Sequence, residues 1–237
     1  MRSKIFLITL LLIFLACSEA PKREFQGNRL VLCEFFTFAR CVYCPYAEAA
    51  LESLRKEFKD SIIIIAYHRR LLGDTLSPED VEARRSFYYE EGGEPVVFFN
   101  GSGPIRTEDP SLNYSTYKNE IQKERSKKLK VLVNLDNNSD TIKIVLFACD
   151  TLLSRDLRLL GLITFDSIFF KQAGARESVY HNVYRGFLVN QKIELNYGDS
   201  LIIPIYFSNQ QNKTKFIVFL QDFNNKEILN SNFYHWR

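Results

Sequence analysis

Two apolar runs constrain this chain more than any other feature. Residues 30–36 (LVLCEFF) are almost continuously hydrophobic, and residues 62–67 (IIIIAY) are wholly so and mostly β-branched. Runs of that length and composition read as strands buried on both faces. Between them Ala47, Ala50, Leu51, Leu54 and Phe58 recur at helical spacing, while Glu48, Glu52, Arg55, Lys56 and Lys59 take the opposite side. A helix of that length is a crossover, so the segment predicts a β-α-β unit with parallel strands.

The next stretch continues the mixed pattern. Ser77-Pro78-Glu79-Asp80 has the chemistry of a helix start, with a run expected to about Glu91 and stopped by Gly92-Gly93. The double arginine Arg84-Arg85, with Phe87, Tyr88 and Tyr89, reads there as an ordinary amphipathic surface. Pro95 opens a third strand, and Asn100-Gly101 is a hairpin turn signal. A last helix is expected over residues 114–127, with Tyr117 and Ile121 turned inward. Past Lys130 the period changes to two. Strand-like runs recur every ten to fifteen residues without helices between them, which predicts an antiparallel sandwich.

The start of the chain reads as a leader. Arg2 and Lys4 precede an apolar run over residues 5–15, too short to span a bilayer and laid out like a secretory signal. It ends Leu15-Ala16-Cys17, which resembles the lipobox of bacterial lipoproteins and marks Cys17 for lipidation. Ser18 after it lacks the acidic signal that retains some lipoproteins in the inner membrane. The organisation expected is a signal peptide over 1–16, a polar tether over 17–28, a first domain over 29–128 and a β domain over 129–237. Losing Arg2 and Lys4 takes the net charge from +3 to +1, which gives no electrostatic case for nucleic-acid binding.

Cys41 and Cys44, two residues apart between a buried strand and a helix, carry the chemistry. Structural zinc needs four ligands, and His68, His181 and His235 are scattered, so no metal site is expected. For redox work the place has a logic. A thiol at a helix start faces unpaired N–H groups and the positive end of the helix dipole, and Arg40 adds a cation. Cys41 is the expected nucleophile. Cys44, further in and less exposed, would resolve its mixed disulfide. No diffusible cofactor is required.

Glu34 is the odd residue of the first strand and has two readings. It is either a buried proton acceptor for Cys44, or an edge residue that is solvated or paired with an Arg. His68, ending the second strand, either modulates the thiolate or is a hydrogen-bonded boundary residue. Tyr43, between the cysteines, is expected exposed at the helix tip. Cys33 and Cys149 lie in apolar runs, where a free Cys is usually a small core hydrophobe.

The succession CEFF…CVYC…IIIIAY…GEPVVFFNG resembles the thioredoxin superfamily. The resemblance implies nucleophilic Cys41, resolving Cys44, a cis-proline at Pro95 that helps hold an incoming peptide, and Glu94 and Arg40 as flanking, non-standard neighbours. More narrowly, the lipoprotein start, the C-x-x-C-P motif, a strand ending in His and an all-β second half resemble the outer-membrane-protein-28-related lipoproteins. Together these imply an α/β thioredoxin-like domain followed by an all-β, immunoglobulin-like sandwich domain. The protein would be held by lipid in the cell envelope, at the outer membrane on its periplasmic or surface face. Two functions stand open. One is a thiol–disulfide oxidoreductase acting on protein thiols or disulfides and recycled by a redox partner. The other is a non-catalytic binding lipoprotein that uses the first domain as a scaffold.

Overall fold

The computed structural model describes residues 29–88, 91–138, 141–153, 156–206 and 214–236. Cys17, the expected signal peptide and nearly all of the expected tether lie outside them. The first half runs β1 (Val31–Thr37), α1 (Cys44–Phe58), β2 (Ile62–His68), α2 (Val81–Phe87), β3 (Val96–Phe99), β4 (Ser102–Ile105) and α3 (Asn113–Ser126). The second half is all strand: β5 (Val131–Asn138), β6 (Thr141–Ala148), β7 (Leu157–Phe165), β8 (Ile168–Phe169), β9 (Val179–Tyr180), β10 (Val183–Ile193), β11 (Ser200–Tyr206), β12 (Thr214–Asp222) and β13 (Ile228–His235).

β1 and β2 pair in parallel, Val31 opposite Ile62 through Thr37 opposite His68, and β3 pairs antiparallel to β1. One face of these strands carries Cys33, Phe35, Ile62, Ile64, Val97 and Phe99, and α1 and α3 cover it with Ala47, Leu51, Leu54, Tyr117 and Ile121. The other face carries Leu32, Phe36, Ile63, Ile65, Tyr67 and Phe98. It is covered by strands rather than helices, through Leu160, Leu162, Tyr184, Ile217, Phe219 and Ile228. Alternate residues of β7 and β12 (Leu159, Phe216, Val218, Leu220) face a second sheet of order β11-β6-β5 across a third apolar layer. β12 is thus buried on both faces, which is why its sequence KFIVFL does not alternate.

This corrects the expected fold class. An α/β thioredoxin-like domain followed by a separate immunoglobulin-like sandwich is not the architecture. The chain is mostly β, with three short α-helices among the described residues. A single mixed eight-stranded sheet, β13-β12-β7-β10-β2-β1-β3-β4, runs through both halves. The join is one parallel pair, Val183 beside Ala66, with the Ala66 N–H donating to the Asn182 carbonyl at 2.8 Å. Apolar runs report that both faces of a strand are covered. They do not report what covers them, nor which strand lies alongside, because edge pairing uses backbone groups common to every residue.

α2 is shorter than expected. The Ser77 hydroxyl, read as its cap, instead accepts the His68 N–H at 3.1 Å and closes the end of β2. Asp80 precedes the first turn and accepts a hydrogen bond from the Tyr184 hydroxyl at 2.5 Å. The hairpin at Asn100-Gly101 forms as expected, with φ of 48° and 79° at the two positions. The Asn100 side chain accepts the Leu32 N–H at 2.8 Å, and its carbonyl accepts the Ile228 N–H at 2.9 Å, so the turn pins β1 to β13. A Cβ on Gly101 would lie 1.9 Å from the Lys226 carbonyl oxygen. Gly101→Ala is therefore expected to cost more than about 2 kcal/mol, from left-handed strain and overpacking together. Urea unfolding of the variant, with an unchanged m-value, checks this.

Candidate functional site

α1 begins at Cys44, with Pro45 in its first turn, and Tyr43 at the cap position supplies no side-chain acceptor. The Cys41 sulfur does that work: it accepts the Cys44 N–H at 3.1 Å, satisfying one of the orphan donors of the first turn. Cys41 and Cys44 form a disulfide, with an S–S distance of 2.08 Å and Cα atoms 5.4 Å apart. Cys41 Sγ also sits 3.7 Å from the Glu94 carbonyl oxygen. Both cysteines are buried, at 4 % and 2 % exposure, so the expected contrast between an exposed Cys41 and a sheltered Cys44 is small. They differ in surroundings. Cys44 opens the helix over Ala47 and Leu51, whereas Cys41 abuts the Glu94-Pro95 segment.

That segment forms one wall of an open cleft of about 490 Å³, lined by Tyr43, Glu94, Pro95, Arg106, Glu108 and Asn113 among others. The Glu94–Pro95 peptide bond is cis. The Glu94 side chain does not reach into the cleft as a free acid. Its Oε1 accepts from Arg69 at 3.0 Å and from Arg85 at 3.1 Å, with only 1 % of the side chain exposed. Arg69 also holds Glu82, so α2, the end of β2 and the loop before β3 are tied into one charged knot beside Cys41. Tyr43 is exposed at the helix tip, as expected, and its chain neighbours Val42 and Tyr46 are exposed with it.

Arg40 is exposed but leans away, against the backbone at Gly174, where a Cβ would meet its Nε at 3.2 Å. The 166–182 segment of the second half, with the β8–β9 pair, therefore reaches over the loop that carries Cys41. Ala39, Leu76, Tyr180 and Val183 seal that contact.

Glu34 is the main correction within the site. Residues alternate faces along a strand. Cys33 and Phe35 lie on the disulfide side of β1, and Glu34 points to the other. There it is fully buried. It takes a two-pronged hydrogen bond from Arg84, at 2.7 and 2.8 Å, and another from the Tyr88 hydroxyl. It is paired with an Arg, as one reading allowed, but in the core and not at an edge. It cannot receive a proton from Cys44 through the sheet. Burial alone would lower the Arg84 guanidinium, and Glu34, Tyr88 and Tyr67 beside it together hold it above its usual range. Arg84 and Arg85, read from sequence as surface, are both buried and bind the two acids. The available signal was the acids themselves: an acid in an apolar strand needs a cation, and two adjacent arginines stood fifty residues on.

His68 is a buried, hydrogen-bonded residue at the end of β2. Its Nδ1 lies 2.8 Å from Asp74 Oδ2, and that oxygen accepts the Ala39 N–H at 2.7 Å, two residues before Cys41. The other Asp74 oxygen takes the Leu76 N–H at 2.8 Å. Asp74→Ala would strand these donors, at an expected loss of about 2–4 kcal/mol read by urea unfolding. Cys33 and Cys149 are free. Burial, then Glu34, pushes the Cys33 thiol well above its ordinary value, so it is an inert core thiol. Among the described residues no group of three or more His, Cys, Asp or Glu could hold a metal ion, and no helix is long and apolar enough to cross a membrane.

No family model matches the chain, and no curated protein matches it. Solved structures do. The chain is similar to HBP35 of Porphyromonas gingivalis at 18 % identity, with a TM-score of 0.70 over 87 % of this chain and 75 % of that one. It is also similar to a structural-genomics protein of Agrobacterium tumefaciens, target AtR35, at 16 % identity, with a TM-score of 0.63 over 89 % of this chain and 96 % of that one. Each likeness spans most of the two halves joined by the eight-stranded sheet, and each shows a shared fold.

Proposed function

We propose that this chain is a cell-envelope thiol–disulfide oxidoreductase acting through Cys41 and Cys44, held to the membrane by lipid on Cys17. The observation that carries the reading is the placement of the Cys41 sulfur. It receives the first-turn N–H of α1 and abuts the wall of an open cleft. On reduction the same N–H would stabilise a Cys41 thiolate, which is what an exchange nucleophile needs. The exposed Val42, Tyr43 and Tyr46 around the pair suit a polypeptide substrate better than a small hydrophilic thiol. The lipoprotein resemblance supports this reading, since disulfides persist in an exported compartment. The near-complete burial of both sulfurs favours a second reading, in which the disulfide is a permanent staple and the fold a scaffold for binding.

Trapping separates the two. The full chain carrying Cys44→Ser, reduced and then exposed to an oxidised peptide, is expected to accumulate a mixed disulfide through Cys41. Absence of any adduct under conditions where dithiothreitol reduces the native pair would leave the scaffold reading.

A further inference from the structure

Exchange at this pair leaves one proton without an owner. Cys44 is 2 % exposed, must lose a proton before it attacks a mixed disulfide at Cys41, and must regain one when it leaves. Glu34 is on the wrong face of β1, and His68 is engaged by Asp74.

α1 itself carries an acid in the required place. Glu48 stands four residues after Cys44, so the two share a helix face one turn apart, with Cβ atoms roughly 5–6 Å from each other. Helical side chains tilt toward the N-terminus, which leans Glu48 back over the turn that holds Cys44. Glu48 lines a small cavity of about 30 Å³ with Phe35, Leu51, Glu52, Ala66, His181 and Asn182, and neither cysteine is part of its lining. Phe35 and Ala66 belong to the same apolar cluster as both cysteines. The cavity has room for a water, with Glu48, Glu52, His181 and Asn182 as its polar walls. Four charged or titratable groups act on Glu48 or it on them: Glu52 on α1, paired with Arg55; Glu177 before β9; Tyr180 in β9; and His181 after it, paired with Asp166. Burial pushes the Glu48 carboxyl up to about 7; His181 opposes this, and Glu177 and Glu52 add to it. A carboxyl so poised both gives and takes a proton near neutrality.

We propose that Glu48 is the proton donor and acceptor for Cys44 across the one helical turn between them. This rests on the exchange reading. When a substrate thiolate attacks the Cys41 sulfur, the Cys41–Cys44 bond breaks. Cys44 leaves with the electron pair, and protonated Glu48 supplies its proton. In the reverse half-reaction the Glu48 carboxylate takes the Cys44 thiol proton. Cys44 then attacks the mixed disulfide at Cys41, and the substrate departs as a thiolate. Electrons pass only between the substrate dithiol and the protein disulfide.

The test follows release of reduced glutathione when the reduced full chain is mixed with oxidised glutathione, across pH, for the wild type and Glu48→Gln. The wild-type resolution rate is expected to rise through an inflection near about pH 7. In Glu48→Gln that inflection should vanish and the rate near neutrality should fall at least roughly tenfold, with Glu48→Asp restoring part of both. Equal rates and an unchanged inflection in Glu48→Gln overturn the assignment while leaving exchange intact. A wild type that never forms or resolves a mixed disulfide overturns both. Should Glu48→Gln not fold, carboxyl NMR titration of the wild type decides. Glu48 must titrate at different pH in the disulfide and dithiol forms, and identical curves refute the coupling.

Discussion

Replacing Arg84 with alanine is expected to cost about 3–5 kcal/mol of folding stability, the loss typical when one member of a buried ion pair is removed. The Glu34 and Arg84 side chains are 0 % and 4 % exposed, and their carboxylate and guanidinium meet fork to fork. Arg84 also lies over the rings of Phe87, Tyr88 and Phe219, at 5.0, 5.2 and 5.5 Å, so it joins α2, β1 and β12. Tyr88 stacks on Phe98 at 3.9 Å and bonds to Glu34, so its ring is fixed by both. Removing the guanidinium leaves an uncompensated carboxylate in an apolar layer, and that residual charge dominates the cost. It follows that Glu34→Leu combined with Arg84→Met should recover most of the loss. The double variant should also exchange disulfides at the wild-type rate, because Glu34 and the sulfurs lie on opposite faces of β1. A large fall in exchange with stability preserved would return Glu34 to the mechanism.

The second large effect is the loss of thiol–disulfide exchange in Cys41→Ser. Serine keeps the shape and can still accept the Cys44 N–H, so α1 should start where it does now. The short span between the cysteines constrains the unfolded chain little, and the disulfide is worth only about 2 kcal/mol by loop closure. A folded protein without exchange is therefore expected, with insulin reduction at background. Cys44→Ser should behave differently: attack at or by Cys41 survives, and the adduct stalls. Equal behaviour of the two serine variants would contradict the assigned roles, since only one sulfur abuts the cleft wall.

Much of the first half was legible because its signals are local. The two apolar runs, the amphipathic stretch between them and the Asn100-Gly101 turn each carry their own periodicity or backbone requirement, and β1, α1, β2 and the hairpin appear within a residue or two of their expected places. The second-half strands were legible for the same reason. Their partners were not. The sequence around Val183 says that a strand begins there, but nothing in it says that the neighbour is Ala66, more than a hundred residues earlier. That one pair turns an expected succession of two domains into a continuous sheet. Within the site, Cys41, Cys44, Tyr43 and Pro95 come together as the motif implies. Glu34 failed on parity. A step of one residue in a strand changes the face, so Glu34 lies on the face opposite Cys33 and Phe35 and away from the disulfide. Glu48 was read as solvent-side because helical spacing ranks α1 residues by polarity. It does not show that the second half folds over that flank through His181 and Asn182.

The reduction potential of the Cys41–Cys44 pair in the full chain, equilibrated against glutathione with Cys41→Ser as control, tests the central claim most directly. The exchange reading predicts a value between about −120 and −270 mV, the span of thiol–disulfide enzymes, with insulin reduction lost in the variant. A value below about −300 mV, together with no exchange activity, would mark a structural staple and contradict it.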